Sequence, residues 1–199
     1  MLPPLVEGGP HITIRVPPRE TVSLSELRER DMLPPEWEPV LRALVDRRLA
    51  FVVSGGTGAG KTTLLAALLG CIDPVERLLV VEDVRELTVD HPHLVRLEAR
   101  PANVEGAGDV TLTTLVRQAL RMRPDRIVVG EVRGAEVREL LAALNTGHEG
   151  GCGTVHANAP ADVVARFEAL GALAGLTPEA VRAQLSAAID VVVHVTRDH

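Results

Sequence analysis

At 199 residues the chain has the length of one ordinary α/β domain and enough of it to bury a substantial core. Its 46% apolar content marks a folded chain and not a disordered one. A net charge of −6, with aromatics confined to Phe51, Phe167 and Trp37, argues against a nucleic-acid binder, which needs a basic surface for phosphates and platforms for bases.

The first stretch, "MLPPLVEGGPHITIRVPPRE", is rich in Pro and Gly around one alternating run, His11 to Val16, which reads as a short strand. It has the composition of a linker or of the tail of a preceding unit. Ser23 with Glu26 three residues on forms a capping box and predicts a short helix. A second helix is predicted from about Glu36 to Arg48.

From Leu49 the pattern alternates strand and helix. Ala50–Val53, Leu78–Val81, Ile127–Val129, Thr154–Val155 and Val191–Val195 read as strands, with helices near 61–70, 111–122, 134–145, 160–174 and 178–188. Thr111 and Pro178 are the residue types that open helices. Alternating βα units of this size imply a mostly parallel sheet covered by helices on both faces. Cys71 and Cys152 lie far apart without a C-x-x-C spacing, so both are expected to be buried apolar residues of a reducing compartment. The apolar run Leu64–Leu69 falls far short of the ~20 residues that span a bilayer. With no charged-then-apolar leader, a cytoplasmic chain is expected.

"GGTGAGKT", Gly55 to Thr62, has the spacing G-x-x-x-x-G-K-[ST] between a predicted strand and a predicted helix. In that context Gly55, Gly56, Thr57, Gly58, Ala59 and Gly60 form a loop whose N–H groups can curl around phosphate oxygens. Lys61 would reach the β- and γ-phosphates, and the Thr62 hydroxyl would ligate Mg²⁺. The competing reading is a Gly-rich turn with no ligand.

The strand "RIVV" delivers Gly130 where a metal-linked acid is usual, and Glu131 comes one residue late. "LLVVED" ends another strand in Glu82 and Asp83. Parallel strands present their C-terminal ends at one edge, so Glu82 and Glu131 should both arrive beside the loop. One can hold magnesium through water while the other orients or deprotonates the attacking water. The bland reading of Glu82 is a solvated strand end or a partner for Arg85.

His148 and His156, in "NTGHEGGCGTVHAN", could sense a γ-phosphate, or they could be structural or metal-binding. His91 and His93 read as a surface turn. The cluster Arg117, Arg121, Arg123 and Arg126 suggests contact with a nucleotide, including one held by a neighbouring subunit; a solvated, ion-paired helix face is the alternative.

Four boxes in this order, "GGTGAGKTT", "VVEDVREL", "RIVVGEVRG" and "GHEGGCGTVHAN", resemble those of the secretion ATPases of the type II/type IV superfamily. "VRLEARPANVEG" and "LVRQALRMRPDRIVVGEVRG" are similar to the tight-adherence (Tad/Flp) pilus assembly branch in particular. The resemblance, from about Pro3 to Val195, implies a RecA-like fold and an ATP-hydrolysing motor using Mg²⁺. It implies phosphate and metal binding by Gly55 to Thr63, with Thr62 on the metal. Glu82 would be the general base, Glu131 the Mg²⁺-linked acid, and His148 and His156 the His-box pair. Arg15 matches an arginine used near bound phosphate. The resemblance further implies hexameric rings that work an inner-membrane platform protein from the cytoplasmic side.

Within that frame residues 1–20 correspond to the end of an N-terminal domain and a linker, and 21–199 to the ATPase domain. Arginines from earlier strands of that domain are missing, and more strand would normally follow Val195. The isolated chain is therefore expected to associate weakly and hydrolyse slowly. A nucleotide-binding interaction module with little turnover is the competing function. A small-molecule kinase is disfavoured, because no lid-like arginine segment is evident.

Overall fold

In the computed structural model, which describes residues 14, 16 and 20–197, six strands form one sheet and every hydrogen-bonded pair of strands is parallel. They are β1 (Phe51–Gly55), β2 (Leu78–Glu82), β3 (Leu94–Glu98), β4 (Arg126–Val129), β5 (Cys152–His156) and β6 (Val191–Val195), in the spatial order β3-β2-β4-β5-β1-β6. The helices are α1 (Leu24–Glu29), α2 (Trp37–Asp46), α3 (Lys61–Leu69), α4 (Leu112–Arg121), α5 (Val137–Leu144), α6 (Asp162–Leu173) and α7 (Pro178–Ala188). No helix among the described residues is long and apolar enough to cross a membrane.

The central strands are apolar at nearly every position because both faces are covered. Leu79, Val81, Ile127, Val129, Val52 and Val155 point into one core, with residues of α4, α5, α6 and α7. Phe51, Val53, Leu78, Val80, Val128 and Cys152 point into the other, against α1, α2 and α3. The arrangement is the doubly covered parallel sheet expected of the βα alternation.

Local signals set the element boundaries. Ser23 and Glu26 close both halves of the capping box that opens α1, Thr111 caps α4, and Thr177 caps α7 with Pro178 in its first turn. α5 starts later than the apolar periodicity predicts. The Glu136 carboxylate reaches back to the N–H groups of Arg133 and Gly134, holding 133–136 as a turn.

β3 is an addition to the predicted elements. "LVRLE" carries two charges and follows "DHPH", so its propensity is weak; pairing with β2 in register from Leu78↔Leu94 to Glu82↔Glu98 makes it a strand. His91 also departs from expectation. It is buried, with Nε2 3.1 Å from the Asp73 carbonyl. The predicted run from His11 to Val16 and Arg15 itself lie outside the described residues, apart from Ile14 and Val16.

Candidate functional site

β1 ends at Gly55 and α3 begins at Lys61, and the five residues between form an open loop at the C-terminal edge of the sheet. Gly60 holds φ +102°, a left-handed conformation that L side chains resist, at the position where the chain turns into the helix. Chain neighbours aside, nothing lies within 4 Å of where a Cβ would stand on Gly56, Gly58 or Gly60, so the space beside these glycines is open. The N-terminus of α3 adds its field to whatever anion sits there.

Lys61 is buried. Its Nζ donates to the carbonyls of Gly55 (3.0 Å) and Gly56 (2.8 Å) and lies 3.3 Å from His156 Nδ1. Burial pulls the ammonium below its ordinary pKa, and the Glu131 carboxylate offsets part of that shift. His156 ends β5 in register with Gly55, and its Nε2 is 3.0 Å from Glu131 Oε1. A neutral ring satisfies both neighbours in one tautomer: the proton on Nε2 faces the carboxylate, and Nδ1 accepts from the lysine. Glu131, His156 and Lys61 thus form one chain from the β4 turn to the loop.

Glu82 ends β2, beside β4, and is buried. Its Oε1 accepts the N–H groups of Glu86 (2.9 Å) and Leu87 (2.8 Å), and its Oε2 accepts from Arg96 Nη1 at 3.3 Å. The ion-pair partner is therefore Arg96, from β3, and not Arg85. The β4 turn is pinned from β5, since Thr154 Oγ1 donates to the Gly130 carbonyl (2.7 Å) and Val132 N–H to the Thr154 carbonyl (2.8 Å). Arg133 pairs with Asp83, tying the β4 turn to the end of β2.

The two histidines are not brought together. His156 sits at the loop end of β5, whereas His148 precedes Cys152 at the other end. The length of β5, four steps of about 3.3 Å or about 13 Å, lies between the two positions. His148 Nδ1 lies 3.2 Å from the Ala143 carbonyl at the end of α5, which corrects the expectation of a histidine pair beside one phosphate. Of the four clustered arginines, Arg117 pairs with Glu139, and Arg126 opens β4 at the far edge, buried against Glu76. These two are therefore held by carboxylates and not by the loop of residues 55–61.

A cavity of about 420 Å³ opens beside Thr62 and Thr63, walled by Val16, Val22, Ala66 and Val84, with Arg85 on its lining. Its volume is that of a small-ligand site. An apolar cleft of about 390 Å³ between α6, α7 and β6 contains none of the groups above. Among the described residues no three His, Cys, Asp or Glu side chains could hold a metal by themselves. The Thr62 hydroxyl and the Glu131 carboxylate, the two groups the sequence offers for a metal, are a donor set of the kind that suits Mg²⁺, which keeps most of its waters and takes phosphate oxygens as further ligands.

A family model described as "Type II/IV secretion system protein" matches residues 1–199. A Mycobacterium tuberculosis (strain ATCC 25618 / H37Rv) protein named for conjugal transfer is 60% identical over 198 residues, spanning 100% of this chain and 56% of its own length. The type IV secretion system protein PtlH of Bordetella pertussis is 38% identical over 227 residues, spanning 99% of this chain and 66% of its own. The solved VirB11 ATPase of the Brucella suis type IV secretion system, in complex with sulphate, superposes with a TM-score of 0.73 at 30% identity, over 92% of this chain and 60% of that one. The chain thus spans little more than half the length of the first of these relatives.

Proposed function

Because this chain belongs to the type II/IV secretion system protein family, we propose that it is an ATP-hydrolysing motor unit of a macromolecular export machine. The observation that carries the reading is the chain Glu131–His156–Lys61, which joins the phosphate loop to the acid of the β4 turn with Glu82 on the adjacent strand end.

In this reading the loop N–H groups of residues 55–62, Lys61 and the start of α3 hold the β- and γ-phosphates. Lys61 exchanges its two carbonyl partners for phosphate oxygens, which suit a desolvated ammonium better. Thr62 and, through water, Glu131 would hold Mg²⁺, which when bound neutralises charge on the phosphates being separated. Glu82 takes a proton from the attacking water. Because Oε1 already receives two N–H groups, Oε2 is the oxygen that accepts it. Water adds to the γ-phosphorus as the bridging oxygen leaves with the β-phosphate, giving ADP and phosphate. His156 stands where loss of the γ-phosphate would be felt by both Lys61 and Glu131.

The relatives named for conjugal transfer and type IV secretion favour a machine of that kind. The tight-adherence pilus motor is a narrower reading and rests on "VRLEARPANVEG" and "LVRQALRMRPDRIVVGEVRG". A hexameric ring, an inner-membrane platform partner and a place on the inner membrane face belong to the same proposal. So do a division at residues 20 and 21 and a phosphate role for Arg15. His148, removed from the loop, fits a structural role or one toward a neighbouring subunit. The competing function is a nucleotide-binding interaction module with little turnover.

Phosphate release from MgATP by the wild type and by Lys61→Ala tests the proposal. The expected result is measurable turnover in the wild type, with most of it lost in the variant. Equal activity in the two would reject the site, and tight MgATP binding without turnover in the wild type would favour the binding module.

A further inference from the structure

We propose that Arg96 is a positioning residue for hydrolysis, one that holds the Glu82 carboxylate in its working orientation before nucleotide arrives. The inference rests on the ATPase reading above and assigns a role to a side chain on β3, the strand without a clear sequence signal.

The geometry is a clamp with one nitrogen at its centre. Arg96 Nη1 donates to Glu82 Oε2 (3.3 Å) and also to the Leu87 carbonyl (2.7 Å). Leu87 in turn donates its own N–H to Glu82 Oε1 (2.8 Å), next to the N–H of Glu86 (2.9 Å). Arg96 therefore grips one carboxylate oxygen directly and the other through the turn that caps it. The third wall is Gly130, against whose backbone the Glu82 side chain packs. Register explains the reach: Arg96 lies opposite Val80, two residues before the strand ends, and a long side chain climbs from there to the acid at the edge. The Arg96 side chain is only 22% exposed and that of Glu82 6%, so bulk solvent does little to weaken the pair.

Glu has three side-chain torsions, and freezing them in advance removes a cost that would otherwise fall on each turnover. The same contacts leave the free lone pair of Oε2 as the acceptor for a water proton. A guanidinium, planar and fixed in its hydrogen-bond directions, can serve both acceptors; an ammonium on a flexible stem does so less well. Both hydrogen bonds of Arg96 go to Glu82 and to the turn that caps it, so its effect runs through Glu82.

The test is steady-state ATP hydrolysis with KM and kcat separated, for wild type, Arg96→Lys, Arg96→Gln, Glu82→Gln and the double variant Glu82→Gln/Arg96→Gln. A misplaced catalytic group costs up to about 10²-fold, so Arg96→Gln should lower kcat by roughly 10–100-fold and leave KM for ATP within about threefold. Arg96→Lys should recover part of the loss. In the Glu82→Gln background the Arg96→Gln change should cost little more, because the group it orients is already gone. An unchanged kcat, a loss confined to KM, or the same loss in both backgrounds would overturn the proposal. If Arg96→Gln does not fold, Arg96→Lys carries the test, and a normal kcat there overturns it. Wild-type turnover that depends on Lys61 but is indifferent to Arg96 sinks this inference alone. A wild type with no turnover sinks the ATPase reading and this inference together.

Discussion

Gly130 has no side chain because Glu82 occupies the space one would fill. A Cβ at position 130 would stand 2.8 Å from Glu82 Cγ and 3.3 Å from its Oε1. Gly130→Ala should therefore displace Glu82 and lower turnover by roughly tenfold or more, with MgATP binding largely kept, since a shift of about 1 Å at a reacting group is costly. Gly130→Asp, which puts an acid directly after the apolar run, should be worse and not better. Rates and analogue affinities for the two variants check this. Full activity in Gly130→Asp would show that the glycine is incidental.

At the opposite edge of the sheet Arg126 is 2% exposed and bidentate with Glu76 at 2.9 and 2.8 Å, while its Nη1 has no partner. Removing the acid strands a buried guanidinium, a loss of about 3–5 kcal/mol by comparison with other buried pairs. Glu76→Ala should cost that much in urea unfolding. Arg126→Met, which removes the charge itself and keeps an apolar stem, should cost less. In Arg126→Met the acid keeps Arg48 as its partner, whereas Glu76→Ala leaves both arginines unpaired, so the reverse order would contradict this reading.

Burial pushes the Cys152 thiol from its ordinary 9.0 up to about 12. Only the thiolate reacts, so Cys152 should resist alkylation in the folded chain at pH 8 and react fully in denaturant. The sign of the stability effect follows. The unfolded chain ionises this thiol above about 9 and the folded chain does not, so its contribution is complete below 9 and is lost as pH rises toward 12. Alkylation counted by mass, with and without denaturant, checks the first point. Labelling of Cys152 in the native chain would contradict its burial.

The fold was legible because its signals are local. Alternating apolar runs and helix-start residues mark β1, β2, β4, β5 and β6 and the seven helices without any knowledge of the partners. β3 was not legible, since its strand character comes from pairing with β2, a tertiary effect that propensity does not report. The arrival of Glu82 and Glu131 at the loop edge of the sheet is expected from one rule, that parallel strands present their C-terminal ends together. His156 obeys the same rule at the end of β5, but its sequence spacing reads only as one of a histidine pair. His148 was misplaced because sequence spacing says how far apart two residues are along the chain and not at which end of a strand each falls. Arg96 was missed for the same reason as β3. The glycine at 130, read as a missing acid, is explained by a neighbour 48 positions earlier in the chain, which no local pattern encodes.

The central claim is a division of labour between carboxylates on two strands. Single-turnover hydrolysis of MgATP by Glu82→Gln and Glu131→Gln, with nucleotide and Mg²⁺ affinities measured alongside, tests it most directly. Glu82→Gln should bind MgATP nearly normally and hydrolyse it roughly 10²–10⁴-fold more slowly, the range for loss of a general base. Glu131→Gln should weaken the Mg²⁺ dependence as well as the rate. Glu82→Gln turning over at the wild-type rate, with Glu131→Gln keeping Mg²⁺ affinity and alone abolishing hydrolysis, would contradict the account and exchange the two roles.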